Sequence, residues 1–365
     1  MQVAISVDAL APGLSGIGRY CLELVEGLPT DPRVSRLSCF RGDTWLSDPH
    51  VLLAAATPPL RRGWRARAER WLRVGRFPET VVHAPNYFLP PWAERGVATV
   101  HDLSVFKYPE THPAERVRAF EANFRSTIDR AGIILTDCEW VREEVIAFAG
   151  IAAERVVAVH LGIADAFRPR PAADLREPLG RYGLVPGAYG LSVSTLEPRK
   201  RIETLLAAWR NLPATLRQRC PLVLAGGEGW RNEGLLARIE AAQAEGWLVR
   251  LGYVPEEDLP ALYAGAAVFA YPSCYEGFGF PPLEAMASGV PTVVAAGTCL
   301  EEVAGAAAAL VEPDDVDSFS AAIGRLLTDE PERISRRDAG IALAAQYSWS
   351  QCVEKTVAAY QLLGD

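Results

Sequence analysis

Two carboxylates eight positions apart, Glu276 and Glu284, flank the run Gly277-Phe278-Gly279-Phe280-Pro281-Pro282-Leu283. The apolar stretch before them, Ala267 to Tyr271, reads as a buried strand. The residues after them, Leu283 to Ala287, are good helix formers introduced by two prolines. A first helical turn tolerates proline because its N–H groups have no intrahelical partner. The spacing predicts strand, tight turn and helix, with Glu276 in the turn and Glu284 in the first helical turn. N–H groups at a helix start suit an anion such as phosphate, while carboxylates suit sugar hydroxyls. The pattern therefore points to a sugar attached to a phosphate.

Five other stretches carry chemistry of the same kind. In Glu197-Pro198-Arg199-Lys200-Arg201, three cations precede the apolar helical stretch Ile202 to Trp209. Positive charge at a helix start opposes the helix dipole, so an anion is expected there. Arginine offers a planar fork and lysine a point charge, which suits a diphosphate. His101 ends a predicted strand, where its ring can bond a sugar hydroxyl or act as acid or base. Gly16 and Gly18 lie between the first strand and a helix, where glycine lets backbone approach a ligand. The nicotinamide fingerprint G-x-G-x-x-G fails there, because its third glycine falls on Cys21. Gly226 and Gly227 follow a later strand and make room for a nucleotide, and the backbone at Tyr253 and Val254 can read a base edge.

Short apolar runs alternate with helix-length segments from end to end, as in parallel sheets covered by helices. Expected strands are Val3–Val7, Ser35–Phe40, Thr80–His83, Ala98–His101, Gly132–Thr136 and Arg155–Val159, then Tyr189–Ser194, Leu222–Ala225, Leu248–Leu251, Val268–Tyr271, Thr292–Val294 and Ala308–Val311. The Pro- and Arg-rich stretch from Phe167 to Asp174 disfavours a continuous helix or central strand and reads as a linker. The fold class expected is α/β, with two Rossmann-like parallel-sheet domains, 1–168 and 169–348, on either side of a cleft. Residues 349–365 form a closing helix that can pack back on the first domain, since Val353, Val357, Tyr360 and Leu363 fall near helical spacing.

At 365 residues the chain fits two cores better than one. Apolar residues are 49% and charged residues 22%, a globular composition. The net charge of −8 argues against general nucleic-acid binding. Seven cysteines are scattered without metal-ligand spacing, as expected of buried thiols in a reducing compartment. The first residues read as a strand rather than a signal peptide, and no run is long enough to span a bilayer, so a cytoplasmic protein is expected. One segment departs from this picture. Residues 60–76 hold seven arginines against one glutamate, with Leu60, Trp64, Ala68 and Trp71 on one helical face. A helix of that kind suits either contact with an anionic membrane or a solvated surface packed on its own sheet.

These motifs together resemble a retaining glycosyltransferase of family 4. The resemblance runs from Ser15-Gly-Ile-Gly-Arg-Tyr20 through His101-Asp-Leu103, Glu197-Pro-Arg-Lys200 and the Glu276-x7-Glu284 element, followed by Ala285-Met-Ala-Ser-Gly-Val-Pro291, to the closing helix. Within the family the chain is most similar to bacterial mannosyl- and rhamnosyltransferases of O-antigen or exopolysaccharide synthesis. The resemblance implies the GT-B fold, with 1–168 the acceptor-binding domain and 169–348 the nucleotide-sugar-binding domain, a nucleotide-sugar donor with GDP-mannose favoured, and a saccharide or lipid-linked saccharide acceptor. It implies no metal. Lys200 and Arg199 would neutralise the donor diphosphate, Glu284 would bond the ribose, and Glu276 would face the transferred sugar. Backbone of Gly277, Phe278 and Gly279 would hold that sugar and its phosphate. Gly16 and Gly18 would admit the diphosphate, and His101 would contact the sugar. Many members carry an arginine five residues before the phosphate lysine; here that position is Thr195, so the second cation falls to Arg199 or Arg201. The competing expectation is a GT-B epimerase or hydrolase sharing the donor pocket, or a transferase using a UDP-sugar or GDP-deoxyhexose.

Overall fold

The computed structural model describes residues 1–54, 80–229 and 232–363. The basic segment 60–76 lies outside the described residues. The chain divides into two compact units, the first made of Met1–Lys107, Pro113–Gly162 and Ser348–Asp365, the second of Tyr108–His112 and Ile163–Tyr347.

The first unit is built on a seven-stranded sheet in the order β3-β2-β1-β4-β5-β6-β7. Its strands are β1 (Gln2–Ser6), β2 (Arg36–Arg41), β3 (Thr44–Leu46), β4 (Thr80–Ala84), β5 (Gly96–Val100), β6 (Ala131–Thr136) and β7 (Val156–Ala158). All neighbours pair in parallel except β2 and β3, which form a hairpin with Phe40 opposite Trp45. That edge strand has no counterpart in the expected strand list. It is only three residues long, too short for an alternating pattern to register. The central strands are buried on both faces, as β5 shows along its whole length, which is why they read as continuous apolar runs.

The final helix, Trp349–Gln361, belongs to this first unit. Its Tyr360 hydroxyl lies 2.7 Å from Nδ1 of His83 on β4, whose Nε2 lies 2.9 Å from the Thr99 hydroxyl of β5. Thr99 is in turn 3.0 Å from the Tyr20 hydroxyl. All four side chains are buried. Burial pushes His83 down to about 3, so the ring is neutral and holds one hydrogen bond as donor and one as acceptor.

The second unit carries a six-stranded, fully parallel sheet in the order β10-β9-β8-β11-β12-β13. These strands are β8 (Gly190–Val193), β9 (Leu222–Ala225), β10 (Leu248–Gly252), β11 (Val268–Tyr271), β12 (Thr292–Ala295) and β13 (Ala309–Val311). Leu205 and Trp209 from one helix and Phe319 and Ile323 from another close over Val268 and Val293 of the sheet. Each such fully buried side chain contributes about 1.5–3 kcal/mol of transfer free energy. The Pro- and Arg-rich stretch lies in this unit, and its prolines lead into a helix, Ala172–Gly180, that starts directly after Pro171. Parallel strands put every carboxyl end on the same edge, and it is there that the candidate site assembles.

Candidate active site

The turn after β8 and the turn after β11 bring the predicted cations and the first predicted carboxylate together. Pro198–Lys200 form a single 3-10 turn, with Arg201 in the left-handed conformation (φ 51°) before the helix Ile202–Asn211. Lys200 is buried, and its Nζ donates to Glu276 Oε1 at 2.5 Å and to the Tyr271 hydroxyl at 3.1 Å. Arg199 donates from Nη1 to the Tyr275 carbonyl at 2.6 Å and to Glu276 Oε2 at 3.2 Å, and from Nη2 to Glu197 Oε1 at 2.8 Å. The Tyr271 hydroxyl also donates to Glu276 Oε1 at 2.8 Å. Arg201 stands apart, half-exposed, 3.3 Å from Asp314.

The cationic turn is therefore already neutralised from within. The sequence predicts an anion at these cations; the structure supplies two carboxylates, Glu197 and Glu276. A buried cation without a partner is strongly destabilising, so the fold must provide one. Burial alone would raise the Glu276 carboxyl, but Lys200 and Arg199 outweigh it and hold it at about 2. Burial and the neighbouring Arg199 push Lys200 below the usual lysine range, against the opposing pull of Glu276 and Glu197. Glu197 and Tyr271 are the members that sequence reasoning missed. Tyr271 reads as a core aromatic of β11, and Glu197 becomes an ion-pair partner only through the tight turn.

Glu284 is the fifth residue of the helix Phe280–Ala287 and so lies beyond its first turn. Gly279 caps that helix at φ 110°, so Pro281 and Pro282 fall one turn earlier in the helix than the carboxylate. Glu284 is half-buried, and its charge adds to burial in pushing up the buried Tyr263 hydroxyl. The prolines remove two N–H donors from the helix start, so backbone donation to an anion is left to the loop Gly277–Phe280. That loop is fixed from below, where the Cys299 thiol donates to the carbonyls of Glu276 (3.1 Å) and Phe278 (3.4 Å). A Cβ on Gly279 would sit 2.4 Å from Leu300 Cδ2.

The two glycines expected beside a nucleotide, Gly226 and Gly227, differ from one another. Gly226 has φ 134°, and a Cβ there would lie 2.0 Å from the Ser194 carbonyl oxygen, so it is required by the crossing of the β8 and β9 turns. Gly227 faces open space. At the end of β10, Tyr253 is 68% exposed while Val254 is buried.

Three predicted residues lie in the first unit. His101 follows β5 and is buried, with Nε2 donating to the Pro85 carbonyl at 2.8 Å and Nδ1 2.8 Å from the Asp137 carboxylate. Burial by itself would push the ring down, but the Asp137 charge outweighs it and holds the His101 proton above the ordinary histidine range. In this geometry both ring nitrogens serve the fold, and neither is turned to a ligand. Gly16 is the first residue of the helix Gly16–Gly27, capped by the Ser15 hydroxyl, which accepts from the Gly18 N–H at 3.1 Å. Gly18 is packed closely: a Cβ would meet the Ala9 carbonyl at 3.0 Å. Among the described residues no group of His, Cys, Asp and Glu is arranged to hold a metal ion, and no helix is long and apolar enough to cross a membrane.

Comparison with known proteins gives consistent relatives. Residues 14–167 match the family model described as Glycosyltransferase Family 4, and residues 187–342 that described as Glycosyl transferases group 1. The chain is 39% identical to O-antigen chain mannosyltransferase B of Escherichia coli, with all of both chains covered. It is 32% identical to the serotype-specific mannosyltransferase WbdA of Escherichia coli over 75% of this chain and 34% of that one. Among solved structures, WaaG, a glycosyltransferase involved in lipopolysaccharide biosynthesis, superposes with a TM-score of 0.72 at 17% identity over the full length of both. Anabaena HepE in complex with UDP and glucose superposes with a TM-score of 0.71 at 17% identity, covering 98% of this chain and 99% of that one. These likenesses show the GT-B fold.

Proposed function

The chain belongs to glycosyltransferase family 4, and on that premise we propose that it is a retaining mannosyltransferase of bacterial O-antigen synthesis. In this reading mannose moves from GDP-mannose to a saccharide or lipid-linked saccharide acceptor. The single observation that carries the reading is the buried cluster of Lys200 and Arg199 against Glu276 at the carboxyl edge of the second sheet.

The barrier in such a transfer is departure of a nucleoside diphosphate while positive charge develops on the anomeric carbon. Lys200 and Arg199 are positioned before the reaction and withdrawn from water, so they stabilise the leaving charge without reorganising. Glu276 remains a carboxylate because both cations hold it so. Its charge favours the oxocarbenium-like centre, and its contact with Lys200 couples the sugar end of the donor to the phosphate end. Front-face departure and attack fits this better than a covalent intermediate, since a carboxylate bonded by three donors is a poor nucleophile. Gly277, Phe278 and Gly279 are assigned to the sugar and phosphate, Glu284 to the ribose, Gly226 and Gly227 to the nucleotide, and Tyr253 and Val254 to the base. Gly16, Gly18 and His101 are assigned to the donor from the first unit, His101 through the backbone it fixes. The reading places catalysis at the cytoplasmic face of the membrane, with the basic segment 60–76 as the contact to anionic lipid.

The test is a panel of GDP- and UDP-sugars measured by thermal shift and by nucleoside diphosphate release with a mannose-terminated acceptor. The expected outcome is stabilisation and turnover with GDP-mannose. Turnover with a UDP-sugar alone would reassign the donor, and epimer formation without acceptor would reassign the reaction.

A further inference from the structure

Of the donors that hold Glu276, Tyr271 differs in kind from Lys200 and Arg199. It ends β11, 2% exposed, with its ring stacked on Phe269 at 5.9 Å between centroids. Its hydroxyl donates to Glu276 Oε1 at 2.8 Å and accepts from Lys200 Nζ at 3.1 Å, so it is bonded to both members of the Lys200–Glu276 pair. Burial and the Glu276 charge push the phenol well above the usual tyrosine range, so it remains a donor throughout the working range. Ser273, another neutral side chain beside this carboxylate, is turned to the carbonyls of Arg199 and Tyr275 at 3.3 Å each.

The balance of charge gives that hydroxyl a task. Glu197 and Glu276 offset Arg199 and Lys200 one for one within a single network. A diphosphate set against the two cations adds negative charge to a cluster that is already balanced. Lys200 and Arg199 then divide their attraction between phosphate and carboxylate. A buried carboxylate that loses counter-charge takes up a proton. Protonated, Glu276 would no longer favour positive charge at the anomeric carbon. The phenol is uncharged and draws no such competition from phosphate, so it is the donor that can stay on Oε1.

Resting on the transferase reading above, we propose that Tyr271 is a positioning residue that keeps Glu276 ionised and aimed once the donor diphosphate draws Lys200 and Arg199 towards itself. The phenol O–H holds Oε1 while Lys200 turns from the carboxylate to the phosphate about the phenol oxygen it already bonds. The test compares the full-length protein with Tyr271→Phe, which keeps the ring and leaves Lys200 and Glu276 paired to each other, so the fold holds. Tyr189→Phe is the control, removing a buried hydroxyl of the same unit that donates to the Leu262 carbonyl at 2.5 Å, outside the cluster. GDP is titrated in by calorimetry at about pH 5, in buffers of different ionisation enthalpy, so that proton uptake on binding is read directly. Tyr271→Phe should take up as much as about one more proton per GDP than the wild type, and Tyr189→Phe should match the wild type. With GDP-mannose and acceptor, kcat of Tyr271→Phe should fall about ten-fold or more at neutral pH, the loss of a hydrogen bond to a charged group. Its kcat should also acquire an acidic limb absent from the wild type, because the donor complex is where Glu276 loses counter-charge. In the wild type alone, infrared difference spectra on GDP binding should show no new carboxylic-acid band; such a band would overturn the role. Proton uptake by Tyr271→Phe equal to that of the wild type, with GDP bound, overturns the role of Tyr271 and leaves the transferase reading standing. A wild-type protein that binds neither GDP nor UDP overturns the transferase reading and this role with it.

Discussion

At the scale of single residues, the candidate site is a compensated cluster: two cations, two carboxylates and a tyrosine hydroxyl within hydrogen-bond reach. Its protonation sets an expected pH dependence. Lys200 is held below the ordinary lysine range by burial and Arg199, so it loses its proton at lower pH than an exposed lysine. In the proposed reaction it is the cationic form that stabilises the leaving diphosphate, so kcat should fall as pH rises, earlier than an ordinary lysine would dictate. Glu276, held at about 2, stays ionised through the working range and adds no acidic limb. A pH–rate profile of Lys200→Arg checks this, because arginine keeps its charge: the alkaline limb should vanish even though kcat is lower throughout. An unchanged limb would assign it to another group. Part of this cluster was legible in the sequence, since a triplet of cations before a helix requires compensation. What the sequence did not disclose is that compensation comes from within the chain. Glu197 and Glu276 are separated by 79 positions, and only the shared edge of β8 and β11 joins them.

At the scale of elements, the strand-turn-helix units were readable because β-branched and aliphatic runs stop at glycines and prolines. The short hairpin strand β3 left no such trace. Position within a helix was read less well than the helix itself. Gly279 in the left-handed region starts the helix at Phe280, and Glu284 thereby falls into its second turn, against Tyr263. His101 shows the same limit: the end of a strand was legible, but Asp137, its partner, lies at the end of the neighbouring strand β6. The turns give a test at this scale. Gly226→Ala forces a Cβ to within 2.0 Å of the Ser194 carbonyl at φ 134°. Strain and displacement together should destabilise the second unit by roughly 2 kcal/mol or more. Urea unfolding followed by tryptophan fluorescence measures this. Gly227→Ala, which meets nothing within 4 Å, is the matched control and should unfold near the wild-type midpoint.

At the scale of the whole molecule, the two units differ in how the chain supplies them. The second is nearly continuous in sequence, whereas the first takes its last helix from residues beyond Ser348. Deleting residues 348–365 removes Tyr360 and leaves the buried His83 ring lacking a partner at Nδ1. It also uncovers the helix Gly16–Gly27 where that helix packs on this element, Gly27 lying against Val353. The truncated chain should lose the unfolding transition of the first unit while keeping that of the second, observable as one remaining step in calorimetry. Both transitions persisting unchanged would show that the helix contributes little to the first unit.

That arrangement has a consequence for how the protein is made. Translation delivers the seven strands of the first sheet early, but His83 meets its partner only when Tyr360 has left the ribosome. Until then the second unit, complete by Tyr347, can close while the older part of the chain waits with one surface uncovered. Domains commonly mature in the order of synthesis. Here the part born first is finished last, and it is this waiting intermediate that a chaperone would meet.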